Sequence, residues 1–138
     1  MRFYRDTALS GKGAALAPGR WNSENVSMVY AAESLAVARL EIEKGLRGSV
    51  PSVPFLSLKL SLPADAIDAL PDAELPANWQ RDPPGDATRR IGDRWHADAA
   101  SLGLSVPSAA APGKRNILLN PSHPDVQKIR IDETPLRF

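Results

Sequence analysis

The chain contains no cysteine, which excludes disulfides, thiolate catalysis and cysteine-based zinc sites. It has two histidines, His96 and His123, without HExxH or a comparable spacing, so no metal site is expected. An excess of one charge is also missing. Lys plus Arg number 17 against 16 Asp plus Glu, a net charge of +1, without the basic surplus of most nucleic-acid binders. Direct nucleic-acid binding is therefore not expected, and any anion must be met by local groups. No apolar run approaches the length that spans a bilayer, and the opening MRFYRDTALSGKG is charged where a signal peptide is apolar. No membrane association is expected, and the chain is read as cytoplasmic. Phosphate-loop and GxSxG motifs are lacking, and Gly11-x-Gly13 has neither the third glycine nor the preceding strand of a dinucleotide fingerprint.

What is present fits one globular domain over residues 1–138: 43% hydrophobic and 24% charged residues in a chain of 138 sit near the globular average. Arg2–Arg5 reads as a short strand before a flexible SGKGAALAPG segment. VSMVYA, residues 26–31, reads as a strand with Tyr30 near its end. SLAVARLEIEKGL predicts a helix over 34–46, with Ser34 as N-cap and Leu35, Ala38, Ile42 and Leu46 on one face. Helical geometry sets Glu41 beside that stripe and turns Glu43 away. FLSLKLSL, residues 55–62, alternates strictly and predicts a half-buried antiparallel strand. Residues 63–90 read as connecting loop around one short helix, and a helix is expected over 91–101. Strands are expected at 104–106, 116–120 and 126–132. No internal repeat is visible. Antiparallel pairs with a few scattered helices predict an α+β fold.

Few residues invite chemistry. Arg20 leaves the Pro18-Gly19 turn, Tyr30 ends a strand, Glu41 flanks a helix, and Ser108 follows Pro107 in VPSA. Each has a plain structural reading, as surface loop, core filler, boundary residue and turn former respectively. Together with their sequence context they form a pattern.

GRWNSENVSMVYAAESLAVARLE, then VPSA, then NILLNPSHPD resembles the RES domain family, named for an arginine, a glutamate and a serine. Those map onto Arg20, Glu41 and Ser108, with Tyr30 as the family's tyrosine. The resemblance covers about residues 4–131. It implies an ADP-ribosyltransferase-like fold, a mostly antiparallel split sheet with flanking helices around an NAD cleft, and Arg20, Tyr30 and Glu41 as catalytic residues. Arg20, Tyr30, Ser108 and Asn116 become candidate binders of NAD, which is consumed as substrate without a metal. It further implies a toxin of a type II toxin–antitoxin pair, in a hetero-oligomer with an Xre-like antitoxin. Two outcomes are open for the cleaved NAD. A ParT-like enzyme attaches ADP-ribose to a protein such as phosphoribosyl pyrophosphate synthetase, whereas an NAD glycohydrolase or phosphorylase drains the NAD pool. A noncatalytic nucleotide-binding or interaction module remains the alternative from another class.

The implied chemistry suits these residue types. Nicotinamide in NAD is already cationic and departs neutral, so no general acid is required, unlike ordinary glycoside hydrolysis. The ribose ring develops positive charge, which one fixed carboxylate, Glu41, can stabilise. The planar fork of Arg20 suits a phosphate or ribose oxygen, and Tyr30 can stack on a flat ring while its hydroxyl keeps a polar contact. Arg5 and Lys12 are further candidates for anion affinity. Glu41-Ile42-Glu43 matches a Glu-x-Glu pattern of arginine-modifying transferases, but residues two apart on a helix diverge, so no arginine acceptor is inferred.

Overall fold

Residues 8–48 and 56–132, with the backbone of the pair 136–137, are described by the computed structural model. The expected strand over residues 2–5, and with it Arg5, lies outside these residues. Inside the segment read as flexible, Lys12–Leu16 forms a short helix, α1. The first strand, β1, is Val29–Ala32, three residues later than VSMVYA suggests. Helix α2, Leu35–Leu46, matches its sequence signal: the Ser34 side chain accepts from the Val37 amide, and Arg47 ends the helix in a left-handed conformation. Its packing is thinner than the apolar stripe implies, because Val37 alone is buried and Leu35 remains exposed.

FLSLKLSL is not one strand. β2, Leu56–Ser57, and β3, Leu60–Ser61, are separate pieces. Leu58, Leu60 and Leu62 do turn inward, while Leu56 is exposed. The stretch read as loop contains a third strand of this region, β4, Ile67–Ala69, between two short 3-10 turns. It also contains the start of helix α3, Asp86–Asp98. That helix begins five residues before the expected Ile91, because Gly85 takes the N-cap position and Asp86 supplies a first-turn acid. Its buried residues Thr88, Gly92 and Trp95 form a one-face stripe.

β5, Gly103–Pro107, and β6, Arg115–Leu119, form a hairpin. Residues 126–132 are not a continuous strand: Pro124 opens a 3-10 turn to Lys128, capped by the His123 side chain, which leaves only Arg130–Ile131 as β7. Leu136–Arg137 is β8. β7 pairs with β3 and β8 with β2, so the two halves of FLSLKLSL find different partners.

The main sheet runs β1-β6-β5-β4, antiparallel except for the parallel β4–β5 pair. The fold is thus α+β with mostly antiparallel pairing and few helices. Strand alternation divides its faces. Leu104, Val106 and Leu118 pack with Trp21, Met28 and Trp95 on one side. Val29, Ala31, Ile117 and Leu119 pack with Ile129 and Ile131 on the other. Tyr30 pairs with Leu118, and Ala32 with Asn116, so Tyr30 and Asn116 belong to the face that carries Trp21 and the Arg20 loop. No described helix is long and apolar enough to cross a membrane.

Candidate active site

The loop that carries Arg20 is fixed by α3. Arg89 donates Nε to the Gly19 carbonyl at 2.9 Å. Asp93, one turn further, accepts from the Ser23 amide at 2.9 Å and from its hydroxyl. Between them Gly92 has no room for a side chain, since a Cβ there would stand 1.7 Å from the Trp21 carbonyl oxygen. Arg89, Gly92 and Asp93 share one helix face by their i, i+3, i+4 spacing, so a single rigid element sets both ends of GRWNS.

Asn22 and Tyr30 lock the same loop from within. Fully buried Asn22 donates to the carbonyls of Ala14, Ser23 and Val26. Its Oδ1 accepts from the Gly19 amide and the Tyr30 hydroxyl. The Trp21 amide donates to the Tyr30 hydroxyl at 3.2 Å. Gly19 lets the turn close over that hydroxyl, 2.7 Å from where a Cβ would lie, so its close approach serves Tyr30 rather than an outside ligand. Tyr30 is 42% exposed as a residue, yet its hydroxyl end is enclosed. Burial pushes the phenol up to about 12, against a lesser lowering by the Trp21 amide.

Glu41 comes from α2, and its Oε1 accepts two hydrogen bonds. Ser108 Oγ donates at 2.6 Å and Asn116 Nδ2 at 2.7 Å. Ser108 immediately follows β5, and Asn116 lies in β6 opposite Val106, so the end of one hairpin holds the carboxylate. The Ser108 oxygen also accepts from the amides of Ala110 and Ala111. With its proton on Glu41, and 3% exposed, Ser108 has no capacity left for a ligand. Asn116 likewise spends a donor on Glu41, while its buried Oδ1 has no hydrogen-bond partner among the described residues. Oε2 of Glu41 accepts no hydrogen bond among the described residues. Glu43 is exposed, on another side of the helix from Glu41.

Arg20, Tyr30, Glu41 and Asn116 line one cleft of ≈ 300 Å³, with Lys44 and Arg47 also on its wall. Arg20 Nη1 donates to the carbonyls of Trp79 and Arg81 at 2.7 and 2.8 Å. Arg47 Nη2 approaches Asp82 Oδ1 at 3.5 Å. These contacts strap the 79–82 segment to the cleft wall at Arg20 and Arg47. A second recess of ≈ 340 Å³ borders the other side of Tyr30 and includes Lys12; it has no carboxylate, so the chemistry favours the cleft with Glu41. No group of three His, Asp or Glu among the described residues could hold a metal ion. His123 instead accepts from the Asp125 amide at 3.0 Å.

The structure therefore brings Arg20, Tyr30, Glu41, Ser108 and Asn116 together, leaves Lys12 outside the cleft, and adds Asn22, Arg89 and Asp93 as the groups that hold the loop. Asn22 lies within the GRWN motif without having been singled out, and nothing in the sequence links Arg89 or Asp93 to residues 70 positions away.

Residues 2–138 match the RES domain. The chain is 34% identical over 138 residues to "Toxin Res" of Yersinia enterocolitica, covering 100% of this chain and 91% of that one. It is 36% identical over 125 residues to "Toxin Res" of Photorhabdus laumondii, covering 91% and 80% respectively. It is 35% identical over 133 residues to "Prs ADP-ribosylating toxin" of a Sphingobium species, covering 94% and 82%.

Proposed function

The chain belongs to the RES domain family, and from that premise we propose that it is an NAD-consuming toxin that cleaves the nicotinamide–ribose bond and transfers ADP-ribose to a protein. One observation carries the reading: a carboxylate oriented by two hydrogen bonds on Oε1 shares a cleft with an arginine and a partly exposed tyrosine ring. Relatives named "Toxin Res" and "Prs ADP-ribosylating toxin" support it. A phosphoribosyl pyrophosphate synthetase is the proposed acceptor, and an Xre-like antitoxin the proposed partner in a hetero-oligomer.

As the C1′–N bond lengthens, its electron pair goes to the nicotinamide nitrogen, which becomes neutral, and the ribose acquires oxocarbenium character until a nucleophilic side chain of the acceptor bonds to C1′ and releases its proton to solvent. Glu41 stabilises that charge and accepts from a ribose hydroxyl through Oε2. Because Oε1 is already tied down, little reorganisation is needed as the charge develops. Ser108 and Asn116 act through Glu41 as positioning residues. Arg20 keeps Nε and Nη2 for a phosphate or ribose oxygen while Nη1 holds the 79–81 backbone. The Tyr30 ring supplies a stacking surface.

The test is incubation with NAD labelled in its adenylate half, in bacterial lysate, following nicotinamide and the label together. Label entering a discrete protein band as nicotinamide is released is the expected result. Label confined to small molecules identifies a glycohydrolase or phosphorylase, and silence in both channels overturns the enzymatic reading. Glu41→Gln is expected to lower turnover about 10²- to 10³-fold.

A further inference from the structure

Glu41 is not the only charged group that α2 sends into the cleft. Lys44 and Gly45, three and four residues on, line the same wall, as helical spacing requires. Of the other two cations of the cleft, Arg20 commits Nη1 to two carbonyl oxygens and keeps one edge, and Arg47 approaches Asp82. Lys44 is half-buried, and its ammonium pairs with no carboxylate or carbonyl among the described residues. A lysine that lines a cleft without a counter-charge can offer its ammonium to an anion there.

Resting on the NAD reading above, we propose that Lys44 is a phosphate-binding residue that grips the diphosphate of the dinucleotide and sets its reach past Glu41. Three residues of helix advance about 4.5 Å along the axis, a step on the scale of the ribose ring that separates C1′ from its 5′-phosphate. One helix turn thereby carries the carboxylate for the reacting carbon and the cation for the adjoining phosphate. The selected ligand is a nucleotide bearing a diphosphate, in preference to a free nucleoside. Lys44 also lies in the last turn of α2, where a cation complements the helix dipole. That role alone predicts a change in stability and none in ligand affinity.

The experiment compares the parent chain with Lys44→Gln and Lys44→Arg, measuring kcat and KM for NAD and inhibition by inorganic pyrophosphate and by free nicotinamide. Lys44→Gln is expected to raise KM for NAD and the pyrophosphate inhibition constant roughly tenfold, the scale of one charge-assisted contact. It should leave kcat and nicotinamide inhibition unchanged, and Lys44→Arg should restore the pyrophosphate effect. NAD turnover by the parent with equal pyrophosphate inhibition in parent and Lys44→Gln overturns the Lys44 assignment alone. A parent that releases no nicotinamide from NAD overturns the functional reading itself, which is a different result.

Discussion

Ser108 donates its only hydroxyl proton to Glu41 Oε1 at 2.6 Å and is itself held by the amides of Ala110 and Ala111. The serine of the family pattern thus meets the carboxylate rather than the contents of the cleft. Ser108→Ala should reduce kcat for NAD cleavage about tenfold with little change in KM, because it frees the carboxylate to reorient. It should also cost about 1–3 kcal/mol of stability through the amides left without an acceptor. Steady-state kinetics and thermal unfolding read both. A rise in KM at constant kcat would instead make Ser108 a ligand contact.

Arg20 joins the cleft to the 79–82 strap. Arg20→Ala should accelerate hydrogen exchange at residues 79–82 and raise KM for NAD roughly ten- to hundredfold. Arg20→Lys should keep the strap protected, since an ammonium can serve the same two carbonyls, while still losing NAD affinity because the planar second edge is gone. Hydrogen exchange read by mass spectrometry beside the kinetics separates the two roles.

Tyr30 makes a prediction at high pH. Its phenol is pushed from 10.0 up to about 12, chiefly by burial, so the fold favours the protonated form. That contribution is fully present below pH 10, where folded and unfolded chains are both protonated. It is lost as pH rises through about 12, because the unfolded chain ionises first. Alkaline unfolding followed by circular dichroism should show this loss in the parent and a smaller one in Tyr30→Phe, which starts less stable because the Asn22 and Trp21 contacts are missing.

Gly92→Ala should be among the most damaging conservative changes in the chain. The added methyl would meet the Trp21 carbonyl oxygen at 1.7 Å, between backbone segments that cannot yield separately, at a cost of about 3 kcal/mol or more. The displaced loop carries Arg20, so NAD affinity should fall as well. Gly13→Ala is the control. Nothing lies within 4 Å of that Cβ, and the change should be neutral or stabilise by up to about 1 kcal/mol. Denaturant midpoints measure both.

The sequence made some of this legible for physical reasons. The Ser34 cap and the periodicity of α2 are local signals, and they placed Glu41 correctly on a partly buried flank. The strands β5 and β6 were equally readable from short apolar runs, though their pairing as a hairpin was not. Failures occurred where partners decide. Ile67–Ala69 lacks a strand pattern and becomes β4 through parallel pairing with β5. The alternation of 126–132 is overruled by the capped turn after His123, and that of 55–62 is divided between two short partners. The start of α3 was hidden by prolines and glycine that belong to its approach. In the site, Arg20, Tyr30, Glu41 and Asn116 were singled out through the family resemblance, whereas Lys44 and Arg47, which line the same cleft, were not. The grip of α3 on the Arg20 loop is a contact of distant segments and left no mark in either one's own sequence.

The thin packing of α2 gives the carboxylate a second duty. With Val37 the helix's one buried residue, the bonds from Ser108 and Asn116 to Glu41 rivet the helix to the β5–β6 hairpin. Reactive groups usually strain the fold that carries them, and their removal often relieves it. Here the proposed catalytic carboxylate is also a fastener, and its removal strands two donors. Loss of harm through Glu41 therefore comes with a looser protein, while Lys44→Gln leaves the rivet in place and weakens only the hold on NAD.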